Sequence, residues 1–241
     1  MDLILSNNTW VLMDLPLGSN TIDCKWVFRR KYRIDGSIQT FKARLVTKGF
    51  RQREGIDYFD TYAPIARIIS IRVLITLASI YKLVVHQIDV KTVFLNGNSD
   101  KKVYIDQPES FVLSGNEKKV CKLVKLLYSL KQAPKQWHEK FDTVILANGF
   151  KHNRADKCVY SKFTVEYGVI VYLYMDDMLI FGTNLLGVCE TKKYLASMFK
   201  MKDLNEANTI LGIKVKRQWH YVKIIILRRC FLSISILMLK R

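Results

Sequence analysis

Hydrophobic and polar residues alternate most regularly near the start of the chain. From Cys24 to Phe50, aromatic and aliphatic residues alternate with cations on both sides of an Asp35-Gly36 turn signal. This period of two predicts a strand hairpin with one cationic face. Taken alone, such a face is more typical of the solvated side of a sheet than of a binding surface.

Three later segments have the apolar pattern of helices. The first contains no Pro or Gly after its opening proline, and in the second Trp137 and Phe141 share one face. A proline suits the first helical position, and a glycine ends a helix readily. The predicted helices run from Pro64 to about Lys82, from Pro134 to Gly149, and from about Leu186 to Phe199.

Two apolar segments end in, or turn at, acidic residues. Val84–Val90 is a β-branched strand pattern that accepts an acid at Asp89, and Gly168–Phe181 reads as two strands joined by a turn at Asp176 and Asp177. A carboxylate at the end of a buried strand is costly unless something pairs with it. If these strands are neighbours in one sheet, the three carboxylates lie together.

Three clustered carboxylates favour hard divalent cations, which prefer oxygen ligands. Like charges at short range raise one another's pKa, so the cluster takes up a proton or binds a cation. Two Mg²⁺ ions would relieve the repulsion and would support in-line phosphoryl transfer, with Asp89, Asp176 and Asp177 as ligands. A double Asp in a hairpin turn is by itself weak evidence, because such turns are common and usually only solvated.

Composition adds a polyanionic partner to this picture. Lys and Arg number 39 against 21 Asp and Glu, which gives a formal charge of +18. Such a field favours nucleic acid, although well-solvated lysines on an ordinary basic protein would give the same count. Hydrophobic residues make up 49% of the chain, enough for a substantial core.

Several other classes of protein are disfavoured. The chain has no G-x-x-x-x-G-K-[ST] loop and no Gly-framed nucleophilic serine, which argues against P-loop and acyl-transfer enzymes. Met1–Trp10 does not resemble a signal peptide, and cations interrupt the apolar stretch Tyr221–Met238, so we expect an intracellular protein without a membrane span. No zinc site is expected, because the cysteines are scattered: Cys24, Cys121, Cys158, Cys189 and Cys230.

The chain also carries a series of sequence motifs in a recognisable order. Tyr174–Asp177 reads Y-x-D-D, and it follows HQIDVKTVFLNG, VYIDQPESF and LYSLKQAPKQW, which begin at His86, Val103 and Leu127. NNTWVLMDLP, the cationic hairpin and EGIDYFDTYAP precede them. From about residue 7 to 217 the chain resembles the reverse transcriptase of Ty1/copia-type LTR retrotransposons, which is part of a Pol polyprotein.

The resemblance implies an α+β fold, a right-hand polymerase with fingers and palm, an antiparallel palm sheet and packed helices. It divides the chain into a fingers-like region at 1–83, a palm at 84–217 and an aberrant tail at 218–241, with the thumb truncated. The tail departs from the family after Gln218, and we hypothesise a frameshift followed by an early stop codon. A divergent strand-rich tail is the alternative.

The resemblance also implies an activity. The chain would be an RNA-directed DNA polymerase that adds dNTPs to a primer 3′-hydroxyl on an RNA or DNA template, using two Mg²⁺ ions or Mn²⁺ in their place. A functional element would act inside a cytoplasmic virus-like particle. The alternative is an inactive relic that retains nucleic-acid binding alone.

Matched positions receive roles from the family. Asp89, Asp176 and Asp177 would be the catalytic metal ligands, with the Val90 carbonyl completing the coordination of one ion. Phe94 would close against the sugar 2′ position and exclude ribonucleotides, or else serve in ordinary core packing.

Further matched residues would bind the incoming nucleotide. Arg44 would grip its triphosphate, with Lys31 as a second cation. Tyr128, Ser129 and Gln132 would line the pocket, although a helix amino-end cap is the alternative for Gln132.

This chain departs from its family at two positions near the pocket. Ser129 replaces a glycine that lets the backbone approach the nucleotide. If that position needs a positive φ, serine is strained there by roughly 1 kcal/mol or more. Val93 replaces the usual alanine beside Phe94, which adds bulk near the predicted sugar pocket.

Overall fold

The structure is a computed structural model that describes residues 8–33, 35–97, 102–109, 111–207, 209–210 and 213–214. The fold is a mixed α/β fold in two compact units that are interleaved along the chain. Of the described residues, those within 1–63 and 92–140 form the first unit, and those within 64–91 and 141–241 form the second. The sequence-based division is sequential instead, and the assignment of fingers and palm stays a prediction. The proposed aberrant tail lies outside the described residues.

The strands and helices are numbered here in chain order, as far as the structure describes them. The strands are β1 (Trp10–Met13), β2 (Thr21–Ile22), β3 (Cys24–Tyr32), β4 (Ile38–Thr47), β5 (Val84–Val90), β6 (Tyr104–Ile105), β7 (Val120–Leu123), β8 (Lys151–His152), β9 (Val159–Phe163), β10 (Gly168–Tyr174), β11 (Asp177–Gly182), β12 (Met201–Glu206), β13 (Thr209–Ile210) and β14 (Ile213–Lys214). The α-helices are α1 (Ile68–Tyr81), α2 (Ala133–Ala147) and α3 (Leu185–Met198), and short 3-10 helices span Gly49–Arg51 and Val93–Asn96.

The first unit contains a four-stranded sheet in the order β1-β7-β6-β2. Its core is aliphatic, with Ile105, Leu123 and Leu126 almost completely buried. Strands β3 and β4 form a separate two-stranded ribbon, and the turn between them is closed by Ser37, whose backbone N–H and hydroxyl both donate to the Asp35 carboxylate. The predicted hairpin is therefore confirmed.

The register of the ribbon separates its two faces. Side chains of directly paired residues lie on the same side of a sheet, and alternate residues share that side. The pairs Lys25↔Val46, Val27↔Arg44, Arg29↔Lys42 and Lys31↔Thr40 therefore place five cations on one face. The cationic face predicted from the alternation is confirmed.

The second unit is built on a six-stranded antiparallel sheet in the order β12-β5-β11-β10-β9-β8. Helix α1 covers one face, where Ile71 and Leu74 join a buried cluster with Leu179 and Phe181. Helix α3 covers the other face, to which Lys192 is tied by a 2.9 Å contact between its Nζ and the Nδ1 of His86. Helices α1 and α3 thus lie on opposite faces of the sheet.

The three predicted helices are confirmed, but neither predicted proline is the first helical residue. Helix α2 begins at Ala133, one residue before Pro134. Helix α1 begins at Ile68, four residues after Pro64, which does not occupy its first position. The preceding segment is held extended by contacts with the sheet, because the carbonyl of Arg67 accepts a 2.8 Å hydrogen bond from the Tyr172 hydroxyl. The glycine predicted to stop α2, Gly149, has a φ of +83° just past the helix end.

No helix in the described part of the chain is long and apolar enough to cross a membrane. The stretch Tyr221–Met238, which the sequence analysis rejects as a membrane span, lies outside the described residues.

Candidate active site

Asp89 and Asp177 lie directly opposite each other on the paired strands β5 and β11 of the second unit. Directly opposed residues of an antiparallel pair project from the same face, with Cα atoms roughly 4.5–5.5 Å apart. Their neighbours Ile88 and Met178 point to the other face and are buried. The prediction that the two acid-bearing strands are neighbours in one sheet is confirmed.

A tight turn brings the third acid to the same end of the sheet. Tyr174 and Asp177 are paired, which leaves Met175 and Asp176 as the central residues of a two-residue hairpin loop. Of these two, Met175 has a positive φ of +55°, in the left-handed region, and Asp176 does not. The backbone N–H of Val90 donates a 2.8 Å hydrogen bond to the Asp176 carbonyl, which fixes the turn against the end of β5.

Charge repulsion and burial act together on Asp177. Burial raises the pKa of its carboxyl group, and the nearby charges of Asp176 and Asp89 raise the pKa further. Gln87 opposes this effect, because its Nε2 donates a 3.0 Å hydrogen bond to Oδ1 of Asp177. The charges of Asp176 and Asp89 thus act on the carboxyl group of Asp177, and a cation beside Asp177 would offset their effect.

The described side chains do not form a complete metal-binding site. Among the residues described by the structure, no group of three His, Cys, Asp or Glu side chains is close enough to hold a metal ion. The paired strands bring Asp89 and Asp177 together, whereas Asp176 is anchored through its backbone. The three-carboxylate metal site, with the Val90 carbonyl, stays a prediction.

Two polar residues at this site were missed from the sequence. Gln87 precedes Asp89 by two residues, so the strand period of two could have placed it on the same face. Lys202 on β12 is the direct partner of Asp89 on its other side, and its side chain is exposed. No sequence signal indicated Lys202, because MKDLNE lacks the apolar alternation of a strand.

The first unit brings three of the predicted nucleotide-binding residues into one stack. The guanidinium carbon of Arg44 lies 5.3 Å from the centre of the Tyr128 ring. The ring of Phe94 meets the same Tyr128 ring edge-on, with 4.9 Å between the centroids. Thr47 holds this tyrosine in place, because its backbone N–H and hydroxyl both donate to the Tyr128 carbonyl.

Lys31 lies away from this stack. It shares the cationic face of the ribbon with Arg44, but it is opposite Thr40 while Arg44 is opposite Val27. Four residues of strand at about 3.3 Å each separate Lys31 from Val27 by roughly 13 Å. A direct role for Lys31 beside Arg44 is not apparent in this arrangement, and its assignment stays a prediction.

Ser129 meets the condition under which the sequence analysis predicts strain. Its φ is +72°, in the left-handed region that disfavours side chains with a Cβ. Its carbonyl is closely approached by Gly49, since a Cβ on that glycine would come within 1.7 Å of the Ser129 oxygen. Val93, the other departure near the pocket, is buried in the 3-10 helix beside Phe94.

Gln132 is held in a buried hydrogen-bonded chain. Its Oε1 accepts a 3.0 Å hydrogen bond from Nε2 of Gln52, and the side chain is 4% exposed. Among the described residues, its own Nε2 is buried and has no hydrogen-bond partner. A buried donor without an acceptor costs roughly 1–3 kcal/mol.

Comparison with known proteins identifies the family of the chain. The family described as reverse transcriptase (RNA-dependent DNA polymerase) matches residues 7–234, and the chain belongs to this family. The match continues beyond residue 217, into the segment that the sequence analysis treats as aberrant. Whether that segment results from a frameshift stays a prediction.

The relatives identify the kind of element from which such chains come. The chain is 42% identical over 219 residues to the Retrovirus-related Pol polyprotein from transposon TNT 1-94 of Nicotiana tabacum, covering 90% of this chain and 16% of that protein. It is 39% identical over 217 residues to the Pol polyprotein from transposon RE1 of Arabidopsis thaliana, covering 88% of this chain and 15% of that protein. The Ty1-H Gag-Pol polyprotein of Saccharomyces cerevisiae is 27% identical over 213 residues, covering 82% of this chain and 11% of that protein. The resemblance to Ty1/copia-type polymerases is confirmed, and the chain spans about a sixth of the first of these relatives.

Proposed function

We propose that this chain is the RNA-directed DNA polymerase core of a copia-type retrotransposon, which adds deoxynucleotides to a primer 3′-hydroxyl. The observation that carries the proposal is the direct pairing of Asp89 with Asp177, with Asp176 in the adjoining turn. No packing requirement explains acids at the ends of apolar strands, whereas nucleotidyl transfer needs them there. Such a polymerase would act on an RNA or DNA template, inside a cytoplasmic virus-like particle.

The donor set suits hard divalent cations. Asp89, Asp176 and Asp177, with the Val90 carbonyl, offer oxygen ligands alone. The charges of Asp176 and Asp89 raise the pKa of Asp177, which supports the presence of positive charge beside this carboxyl group. These residues would hold two Mg²⁺ ions, or Mn²⁺ in their place. When bound, such ions lower the pKa of the attacking hydroxyl and neutralise the leaving pyrophosphate.

The stack of Arg44, Tyr128 and Phe94 would bind the incoming nucleotide. A guanidinium offers paired hydrogen bonds to phosphate oxygens, and the ring beneath Arg44 limits the directions in which its planar group can turn. Phe94 is half-buried against the Tyr128 edge, so its ring is fixed well enough to exclude a ribose 2′-hydroxyl. Lys31 would add to the positive field along the ribbon.

A second candidate function is nucleic-acid binding without catalysis. The observation that favours it is the positive φ of Ser129, at a position where the family has glycine. A Cβ at this point would hinder close approach of the nucleotide to the backbone while leaving the cationic ribbon intact. The chain would then be a relic that retains affinity for nucleic acid.

Primer extension on poly(rA)·oligo(dT) with dTTP and Mg²⁺ separates the two functions. We expect extension by the unchanged chain, none by Asp176→Asn, and full activity in Asp14→Asn, which makes the same charge change in an exposed loop of the first unit. Equal extension by the unchanged chain and Asp176→Asn would refute catalysis at this site. Absence of extension, together with binding that weakens steeply with salt in all three proteins, would support the second function.

A further inference from the structure

Gln52 lies between the backbone of Lys131 and the side chain of Gln132 in the first unit. Its Oε1 accepts a 2.8 Å hydrogen bond from the Lys131 N–H, and its Nε2 donates the 3.0 Å bond to Gln132. Both glutamines are 4% exposed. Gln52 therefore links a fixed point of the main chain to a residue of the predicted nucleotide pocket.

The orientation of both amides follows from the backbone. A main-chain N–H can only donate, so the group of Gln52 that faces Lys131 must be its carbonyl oxygen. The NH₂ of Gln52 is then turned towards Gln132, which must present its own carbonyl oxygen in return. The remaining NH₂ of Gln132 is the buried donor that has no partner among the described residues. Reversing either amide would place two donors or two acceptors face to face.

The segment after Gln52 holds it in place. Nζ of Lys131 donates a 3.0 Å hydrogen bond to the Tyr58 hydroxyl, and Nζ of Lys135 lies 2.6 Å from a carboxylate oxygen of Asp60. These contacts hold the segment 52–60 against the start of α2. Gln52 cannot rotate its amide without losing its bond to the main chain.

We infer that Gln52 is a positioning residue, which locks the Gln132 amide so that its NH₂, and not its carbonyl, is offered to an acceptor atom of the incoming nucleotide. The inference rests on the proposed function and on the predicted place of Gln132 in the lining of the nucleotide pocket. It explains why a buried amide is retained with one end unpaired, since the nucleotide would supply the missing acceptor.

The test reverses the amide by a single change. In Gln52→Glu, assayed at a pH high enough to ionise the buried carboxyl group, one carboxylate oxygen still accepts from Lys131, but the other now faces Gln132 as an acceptor. Gln132 must turn its NH₂ towards residue 52 and offer its carbonyl to the nucleotide. In poly(rA)·oligo(dT) extension we expect the KM for dTTP to rise about tenfold or more, with a much smaller change in kcat.

A double-mutant cycle separates positioning from a general structural effect. Gln132→Leu should also raise the KM for dTTP. Adding Gln52→Glu to it should raise the KM no further, because the amide that residue 52 orients is already absent. Additive effects, or an unchanged KM in Gln52→Glu, would overturn the inference. If Gln52→Glu fails to fold, Gln52→Met replaces it in the same cycle, where an unchanged KM again overturns the inference.

Side-chain amide NMR provides a readout that does not require polymerase activity. The ¹⁵N–¹H signals of the Gln132 NH₂ are identified by their loss in Gln132→Leu. In Gln52→Glu, or in Gln52→Met if needed, these signals should shift because the Gln132 amide is no longer held in its original orientation. Unshifted signals would refute the proposed positioning by Gln52. If the unchanged chain extends no primer, the proposed function fails, but the NMR signals still decide whether Gln52 sets the amide.

Discussion

Replacing Ser129 by glycine should stabilise the chain. Ser129 has a φ of +72° and an exposed side chain, and no hydrogen bond of its hydroxyl offsets the strain among the contacts the structure describes. Glycine adopts this conformation without the clash between Cβ and the backbone.

The expected gain is the difference between two effects. A residue with a Cβ in the left-handed region costs roughly 1–2 kcal/mol. Glycine loses more backbone entropy on folding, which offsets about 0.4–1 kcal/mol of this gain. A net stabilisation of about 1 kcal/mol remains, which in a chain of this length raises Tm by roughly 2–4 °C.

Thermal unfolding followed by circular dichroism measures the effect, with two control variants. Ser129→Ala removes the hydroxyl but keeps the Cβ, so we expect little change in Tm. Ser114→Gly makes the same substitution in an exposed loop where φ is not positive, so it should lower Tm slightly through backbone entropy alone. Together the controls separate the strain from the hydroxyl and from the entropy of glycine.

Two outcomes would refute the reasoning. If Ser129→Gly left Tm unchanged or lowered it as Ser114→Gly does, the positive φ would carry no cost. If Ser129→Ala stabilised the chain as much as Ser129→Gly, the serine hydroxyl would be the source of the strain and not the Cβ.

Three further predictions concern the packing and the site. Gly49→Ala should destabilise the chain by about 2 kcal/mol or more, because its Cβ would overlap a neighbouring carbonyl; an unchanged denaturant midpoint would contradict this close approach. Gln87→Met should raise the Mg²⁺ concentration needed for half-maximal primer extension by about tenfold, since it removes the hydrogen bond that orients Asp177; an unchanged Mg²⁺ titration would count against that role. Phe94→Val should increase incorporation of rUTP relative to dTTP if the ring excludes the 2′-hydroxyl, whereas a packing residue would lower Tm and leave this ratio unchanged.

The sequence predicted the central strands of the second unit well. Val84–Val90 was predicted residue for residue, and the hairpin at Asp176 and Asp177 needed no more than two apolar runs and a turn. Strands β10 and β11 are buried and apolar on both faces, so their pattern is strong. An acid that interrupts such a pattern is easy to notice, and this is why the candidate carboxylates could be found from the sequence.

Edge strands and short strands were harder to predict. Strand β12 pairs with β5 at the edge of the sheet, but its residues are mostly polar and exposed. Strand β6 has two residues, too few for any alternation to be visible. Both strands form because a neighbouring strand offers unpaired backbone groups, and this information lies in another part of the chain.

The contacts among the predicted nucleotide-binding residues could not be predicted from local sequence patterns. The sequence could suggest Arg44, Phe94 and Tyr128 separately through resemblance, but it could not show that one ring would contact both of the others. That contact depends on Thr47, which binds the carbonyl of a residue 81 positions away. Pairings over such distances are set by the packing of whole elements, and the interleaving of the two units has the same origin. The candidate site residues are therefore visible in local motifs, whereas Gln52 and Gln87, which hydrogen-bond to Gln132 and Asp177, become visible through the fold.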